Sequence, residues 1–223
     1  MNFNKKFDSY DENAIVQKKV ASHLIELIKE IKNDKNSFES ILEIGCGTGI
    51  FTREFLKSYS PNRIILNDFF QVERFLNNIS YNSFLVGDIL KIELPKVETI
   101  VSSSVFQWIS PLEKLIEKLS FCKNLYFSIY ISGNLKEIDE HFNISLDYLE
   151  VDEIKNILKK YFTKVKYKKE SISLDFNTPL DALRHLKNSG VTGFKKSSIS
   201  KIKSFSSKTL TYEIGYFLCE KYW

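Results

Sequence analysis

The chain has 223 residues, 43% of them hydrophobic and 27% charged, enough for one sizeable domain with a real core. No run of about 18 apolar residues exists, which excludes a transmembrane helix, and the start, MNFNKKFDSYDENA, lacks the apolar centre of a secretory signal. The three cysteines, Cys46, Cys122 and Cys219, are odd in number and share no CxxC spacing, which argues against a disulfide framework or a zinc site and fits a reducing cytosol. The net charge of +4 is uneven. Residues 1–154 hold 17 Lys/Arg and 23 Asp/Glu, whereas residues 155–223 hold 15 and 5. A basic last third on an acidic body points to an anionic partner, nucleic acid or an acidic protein, or simply to solvated lysine on surface helices.

In chain order, residues 11–32 predict an amphipathic helix, because Ile15, Val16, Val20, Leu24, Leu27, Ile28 and Ile31 recur at three- and four-residue spacing. Asp11 is its expected N-cap, and Asn33-Asp34 its expected stop. Short apolar runs then alternate with helical ones. ILEIG (41–45), RIILN (63–67), SFLVG (83–87), TIVSS (99–103) and LYFSIY (125–130) read as buried strands, with helices near 50–59, 69–78 and 111–120. That alternation implies right-handed crossovers and a parallel sheet. Residues 131–160 are expected to supply covering helices. KVKYKKESISLDF (164–176) and LTYEIGYFLCEKYW (210–223) are long and rich in β-branched and aromatic residues, so they predict two more strands, one of them open to antiparallel pairing. The polar, mostly helical 177–209 between them reads as an insertion over the sheet's ligand-binding edge.

In an open parallel sheet, ligands bind beyond the carboxyl ends of the strands. The first such turn is GCGTG, with Gly45, Gly47 and Gly49 at alternate positions. Glycine there permits positive φ and lets backbone approach a ligand, and the helix that follows presents free N–H groups. The spacing lacks both the Lys-Ser/Thr of a phosphate loop and the third-glycine offset of a dinucleotide fingerprint. Asp68 follows the next strand, where it can accept from both hydroxyls of a ribose. Asp88 follows the one after, where it can accept from an adenine amino group. Glu43, a charge inside an apolar strand, must meet a cation or several donors. Alone, each has a plain alternative as a turn, a cap or an ion-pair member. Together they describe a pocket for a nucleoside with a charged tail.

ILEIGCGTGIFTREFL, LNDFF and VGDIL resemble the first three motifs of class I S-adenosylmethionine-dependent methyltransferases. The resemblance implies a Rossmann-like α/β fold: a mostly parallel seven-stranded sheet, helices on both faces and a helical lid. It implies that Glu43, Gly45 and Gly49 serve the methionine end of S-adenosylmethionine, with Cys46 and Gly47 in the same turn. Asp68 then serves the ribose, and Asp88 with Ile89 the adenine. Three further stretches, FDSYDENAIVQKKVA (7–21), SSSVFQWI (102–109) and TPLDALRHLKNSGVTG (178–193), together with LTYEIGYF (210–217), resemble the malonyl-acyl-carrier-protein O-methyltransferases of biotin synthesis across essentially the whole chain. Asn134 and Ile138 stand where that family more often has Thr and Leu.

The narrower resemblance implies a single domain over 1–223, a cap helix at about 7–32, and lid segments at about 131–160 and 177–209. It implies methyl transfer to the free carboxylate of a malonyl thioester on acyl carrier protein, with malonyl-coenzyme A as an alternative methyl acceptor, in the cytoplasm and without metal, membrane or nucleic acid. Such a carboxylate is already ionised near neutral pH and needs no strong base, so alignment and water exclusion are the work. Phe106, Gln107 and Trp108 are the expected aromatic and amide walls, and Gln107 and Ser102 candidate hydrogen-bond donors; an ordinary aromatic cluster is the alternative. Arg184, the only arginine after residue 74, is the expected partner of the malonyl carboxylate. Its alternative is a surface pair with Asp181. Tyr10 and Gln17 are expected to close over the cofactor, and Phe7 and Phe176 to gate the thioester arm, while His185 is expected to be structural. Lys195, Lys196, Lys201 and Lys203 are the expected contacts to the acidic carrier, extended by Lys5, Lys6, Lys18 and Lys19. Competing readings are a methyltransferase for another small carboxylate or for RNA, and a catalytically silent cofactor-binding subunit.

Overall fold

A computed structural model of the protein describes residues 11–189 and 198–221. Seven strands form one sheet: β1 (Ser40–Ile44), β2 (Arg63–Asp68), β3 (Ser83–Val86), β4 (Thr99–Ser103), β5 (Asn124–Tyr130), β6 (Lys164–Asp175) and β7 (Thr209–Glu220). Their order is β3-β2-β1-β4-β5-β7-β6. β1 to β5 are mutually parallel, and β7 runs antiparallel to both of its neighbours. The helices are α1 (Ile15–Lys29), α2 (Ile50–Ser58), α3 (Leu112–Leu119), α4 (Lys136–Phe142), α5 (Val151–Lys159), α6 (Pro179–Ser189) and α7 (Ile199–Ser204).

The apolar strands are continuous runs because both sheet faces are covered. Alternation assigns the sides. Ile41 joins a cluster with Val20, Leu24 and Ile28 of α1 and Phe51 and Phe55 of α2. Leu42 and Ile44 join a second one with Leu115 and Ile116 of α3 and Ile154 and Leu158 of α5. Leu24 and Ile28 are fully buried, each contributing about 1.5–3 kcal/mol by leaving water. The three- and four-residue spacing that predicts α1 therefore marks the side of the helix that meets the sheet. Gln17 is the polar exception on that buried side.

The switch of strand order, with β1 between β2 and β4, opens a crevice at the carboxyl ends of the parallel strands. β6 ends and β7 begins at that same end, where Asp175 pairs with Thr209. The connection carrying α6 and α7 therefore starts and finishes there. Three expectations change. Asp11 is not the N-cap of α1, since Ala14 precedes the helix and the Asp11 carboxylate is used elsewhere. The stretch 69–78 forms only a 3-10 turn at Glu73–Phe75. Within 131–160, α5 packs on the sheet's second face and not over the crevice.

Part of the basic last third lies away from the crevice. Lys166, Lys168 and Lys169 project, exposed, from β6, the terminal strand of the sheet. Lysine on a sheet edge discourages pairing with another chain.

Candidate active site

A cleft of about 560 Å3 opens at the carboxyl ends of β1 to β4. The glycine turn forms its floor. Gly45 and Cys46 N–H groups both donate to the Asn67 carbonyl, at 2.8 and 2.9 Å, which stitches the end of β1 to β2. Gly45, Gly47 and Gly49 have φ of 71°, 54° and 82°. A Cβ on Gly45 would stand 2.4 Å from Val105 Cγ2, whereas one on Gly47 would meet nothing within 4 Å. Gly45 is thus fixed by packing. Gly47 offers bare backbone to whatever fills the cleft.

Asp68 holds the turn from β2. Its Oδ2 accepts from Gly47 N–H and its Oδ1 from Phe70 N–H, both at 2.9 Å. Burial raises its pKa, against the lowering by these backbone donors. Each oxygen retains a lone pair for a further donor. Asp88 accepts from Leu90 N–H at 3.0 Å and pairs with Lys91 at 3.5 Å. Glu43 is 2% exposed and accepts from Thr52 Oγ1 at 2.6 Å. Burial pushes its carboxyl up to about 7, with the Thr52 hydrogen bond opposing and the neighbouring Asp68 adding to the rise. Burial also raises the Cys46 thiol, so it stays protonated.

Glu43, Gly45, Cys46, Gly47, Asp68, Asp88, Ile89, Gln107, Trp108 and Gln17 all line the cleft. Two of the amides are incompletely used. Gln107 Nε2 donates to the Ser104 carbonyl at 2.6 Å and Gln17 Nε2 reaches the Ser189 carbonyl at 3.5 Å. The Oε1 atom of each is buried without a partner. Gly49 caps α2 just behind the lining, its Cα facing Ile79.

Other expected site residues fall elsewhere. Ser102 is fully buried and donates to the Ile44 carbonyl at 2.9 Å; alternation along β4 gives the cleft to Ser103 instead. Phe106 is 1% exposed and packs on Phe127 with ring centroids 4.7 Å apart. The 3-10 turn Phe106–Trp108 sends Phe106 into the core and its two successors to the cleft. Arg184 lies on the outer side of α6, its side chain 64% exposed and paired with Asp181 at 3.1 Å. The inner side is Ala182, His185, Leu186 and Ser189, and successive helical residues point about 100° apart. Phe176 is half-buried against His185, 5.2 Å between rings, and does not line the cleft. Tyr10, Phe7, Lys5, Lys6, Lys195 and Lys196 lie outside the described residues.

Several contributors have no local sequence signal. Asn67 both anchors the turn and donates to the Leu85 and Gly87 carbonyls, at 2.9 and 3.3 Å. Asp11 receives hydrogen bonds from Thr48 Oγ1 and from Arg53 Nη2, the latter at 3.2 Å, while Arg53 also donates to the Thr48 carbonyl at 2.7 Å. This clasp fastens Asp11, ahead of α1, to the glycine turn. Ser104 adopts φ 60°, and its N–H donates to both the carbonyl and the hydroxyl of Ser128 at 3.1 Å. Left-handed backbone at a non-glycine residue persists where surrounding contacts over-determine it.

The electrostatics select the ligand. Glu43, Asp68 and Asp88 line the cleft, and among the described residues no Lys, Arg or His does. Such a site repels phosphates and favours a cation with hydroxyl and amino donors. Among the described residues, no group of three His, Cys, Asp or Glu could hold a metal ion, and no helix is long and apolar enough to cross a membrane.

Residues 42–121 match the family described as a methyltransferase domain. The malonyl-[acyl-carrier protein] O-methyltransferase of Calditerrivibrio nitroreducens is 35% identical over 99% of this chain and 95% of its own. Among solved structures, the YcgJ protein of Bacillus subtilis superposes with a TM-score of 0.64 at 10% identity, covering 89% of this chain and 98% of its own. Haemonchus contortus phosphoethanolamine N-methyltransferase 2, in complex with S-adenosyl-L-methionine, superposes with a TM-score of 0.58 at 15% identity, covering 90% of this chain and 52% of its own. At these identities the two structures speak for the fold.

Proposed function

The chain belongs to the malonyl-[acyl-carrier protein] O-methyltransferase family, and from that premise we propose how its cleft carries out methyl transfer to a malonyl carboxylate. The fold is that of a class I methyltransferase. The enzyme takes S-adenosylmethionine as cofactor and esterifies the free carboxylate of a malonyl thioester on acyl carrier protein, a step toward biotin. The cofactor supplies an electrophilic methyl group on a cationic sulfur.

The observation that carries this reading is a bare glycine turn with three carboxylates in the cleft lining and, among the described residues, no cationic side chain in that lining. A zwitterionic tail with an ammonium group suits the buried Glu43, and the orphaned Gln17 and Gln107 amide oxygens offer further acceptors. Asp68 accepts from ribose hydroxyls and Asp88 from the adenine amino group, with Ile89 and Phe69 as walls. Trp108, Ile109 and Tyr130 keep bulk water from the reacting end. No general base is required, since a carboxylate acceptor is ionised near neutral pH, and the cleft lining accordingly needs no free imidazole or amine. An RNA substrate gains nothing from a cleft of this charge.

For the carrier protein, α7 offers an exposed surface on which Ile199 and Ile202 lie beside Lys201 and Lys203. Apolar anchors rimmed by lysine suit a small acidic protein, and coenzyme A thioester, which lacks that protein surface, is the weaker substrate. The reaction is cytoplasmic in this reading, where buried free thiols such as Cys46, Cys122 and Cys219 persist. The test incubates the protein with S-adenosylmethionine and malonyl-carrier protein and measures intact mass. A gain of one methyl group is expected, with acetyl-carrier unchanged. No gain on the malonyl carrier refutes the reading.

A further inference from the structure

Beneath α6 the structure leaves polar side chains unused. Gln17 is 8%, His185 7% and Tyr212 0% exposed, yet among the described residues Gln17 Oε1, His185 Nε2 and Tyr212 Oη have no hydrogen-bond partner. Buried polar atoms are nearly always paired, so three orphans from α1, α6 and β7 in one neighbourhood call for a missing partner. They are contiguous. The His185 and Tyr212 rings stand 6.4 Å apart and nearly perpendicular, and Tyr212 is 6.1 Å from Tyr130. Tyr130, Gln17 and Ser189 line the cleft. On the other side Phe176 packs on His185.

The inner side of α6 is suited to opening. Of its four buried residues, only Ala182 and Leu186 are apolar; His185 and Ser189 are the others. Leu183 adds a partly buried contact, so the apolar seat of α6 is small, as suits a segment that opens locally. Burial keeps the His185 imidazole neutral and the Tyr212 hydroxyl protonated.

We propose that Tyr212 and His185 form the subsite for the methyl-accepting carboxylate, each donating one hydrogen bond to it, with α6 as the lid that admits the acyl chain past Phe176. This rests on the proposed malonyl acceptor. It replaces Arg184, whose guanidinium faces solvent beside Asp181. Neutral donors fix the carboxylate oxygens without cancelling the charge that makes one of them the nucleophile, whereas a bidentate guanidinium would stabilise the ground state. The Gln17 oxygen cannot donate to a carboxylate and serves the cofactor's ammonium group instead, so the subsite consists of His185 and Tyr212.

The test compares Tyr212→Phe, His185→Leu and His185→Gln with the unmodified enzyme. Tyr212→Phe removes only the hydroxyl, and His185→Gln keeps an N–H near the Nε2 position. The expected results are a KM for malonyl-carrier raised about tenfold or more in Tyr212→Phe and His185→Leu, with substantial recovery in His185→Gln. The Kd for S-adenosylhomocysteine should change less than twofold, and the Tm of Tyr212→Phe should not fall, because an unpaired buried hydroxyl has been removed. Calorimetric titration of malonyl-pantetheine onto the S-adenosylhomocysteine complex should show the same tenfold weakening without turnover. An unmodified enzyme inactive on malonyl-carrier overturns the proposed function, and the subsite with it. An active enzyme whose Tyr212→Phe and His185→Leu variants keep KM and thioester affinity overturns the subsite alone. A parallel loss of cofactor affinity and Tm in Tyr212→Phe also overturns it, since that marks a structural hydroxyl.

Discussion

Replacing Glu43 with glutamine should make the free protein more stable and the cofactor complex weaker. The carboxyl is buried, and burial is the main reason its pKa rises from 4.5 to about 7. For a group raised in the folded state, the stability it contributes is intact below the unfolded pKa and is lost as pH rises through the folded one. By pH 8 the loss is about 3 kcal/mol. Glutamine retains an acceptor for Thr52 Oγ1, which sits 2.6 Å from the carboxylate, and the charged form's advantage in that bond is already contained in the net rise. The expectation is a gain of about 3 kcal/mol at pH 8, or about 6–12 °C in Tm for a chain of this size. The gap should close to under about 1 kcal/mol at pH 5, where the native carboxyl is itself protonated. Cofactor affinity should fall tenfold or more, because an ammonium–carboxylate bond is worth about 1.5–3 kcal/mol. Thermal scans of the ligand-free protein at the two pH values, with calorimetric titration of S-adenosylhomocysteine, give both numbers. Binding to the unmodified protein near pH 7 should also release a proton from Glu43, so the apparent enthalpy should vary with the buffer's ionisation enthalpy. A variant destabilised equally at pH 5 and pH 8, with affinity intact, would make Glu43 a structural anchor and refute the reasoning.

Arg184→Ala should leave turnover within about twofold and Tm nearly unchanged, since an exposed i,i+3 pair with Asp181 is worth a few tenths of a kcal/mol; a loss of turnover beyond tenfold would return the guanidinium to the acceptor. Gly47→Ala meets open space at φ 54°, so it should cost only about 1 kcal/mol of stability while weakening cofactor binding several-fold. Gly45→Ala, 2.4 Å from Val105, should instead lower Tm markedly. The KM for malonyl-carrier should rise with salt, and the KM for malonyl-pantetheine should not, if the lysines of α7 steer the carrier; equal salt dependence would exclude that role.

The strands were legible because each is an apolar run covered on both faces, and the lining of the cleft around the glycine turn because its residues follow strands directly. Asp68 and Asp88 stand at strand ends whose position hydrophobicity alone fixes. The structure departs from the expectation where side-chain direction or distant contacts decide. Ser102 and Ser103 differ only by which side of β4 they take, and three serines in a row carry no sign of it. Arg184 and His185 are neighbours on one helix, and the phase of α6 is set by its seat on β7. Charge alone favours Arg184 for a carboxylate, yet the side that packs inward is the one with His185. Asp11 looks like a cap from its neighbours, but Thr48 and Arg53 claim it across 37 and 42 residues. Asn67 stabilises the turn through backbone carbonyls, which leave no trace in the identity of their own residues.

The lysines of β6 carry a consequence for the chain outside catalysis. Twelve residues long, β6 pairs with β7 on one side, and no described strand pairs with the other. The run KVKYKKE would otherwise be a template for strand addition by a second molecule. Lys166, Lys168 and Lys169 place like charges where an incoming copy would lay its own, so each molecule repels its twin at that border. Reagents that acylate lysine should remove this protection and yield growing assemblies of otherwise folded protein, while the cleft on the far side of the sheet still binds its nucleoside.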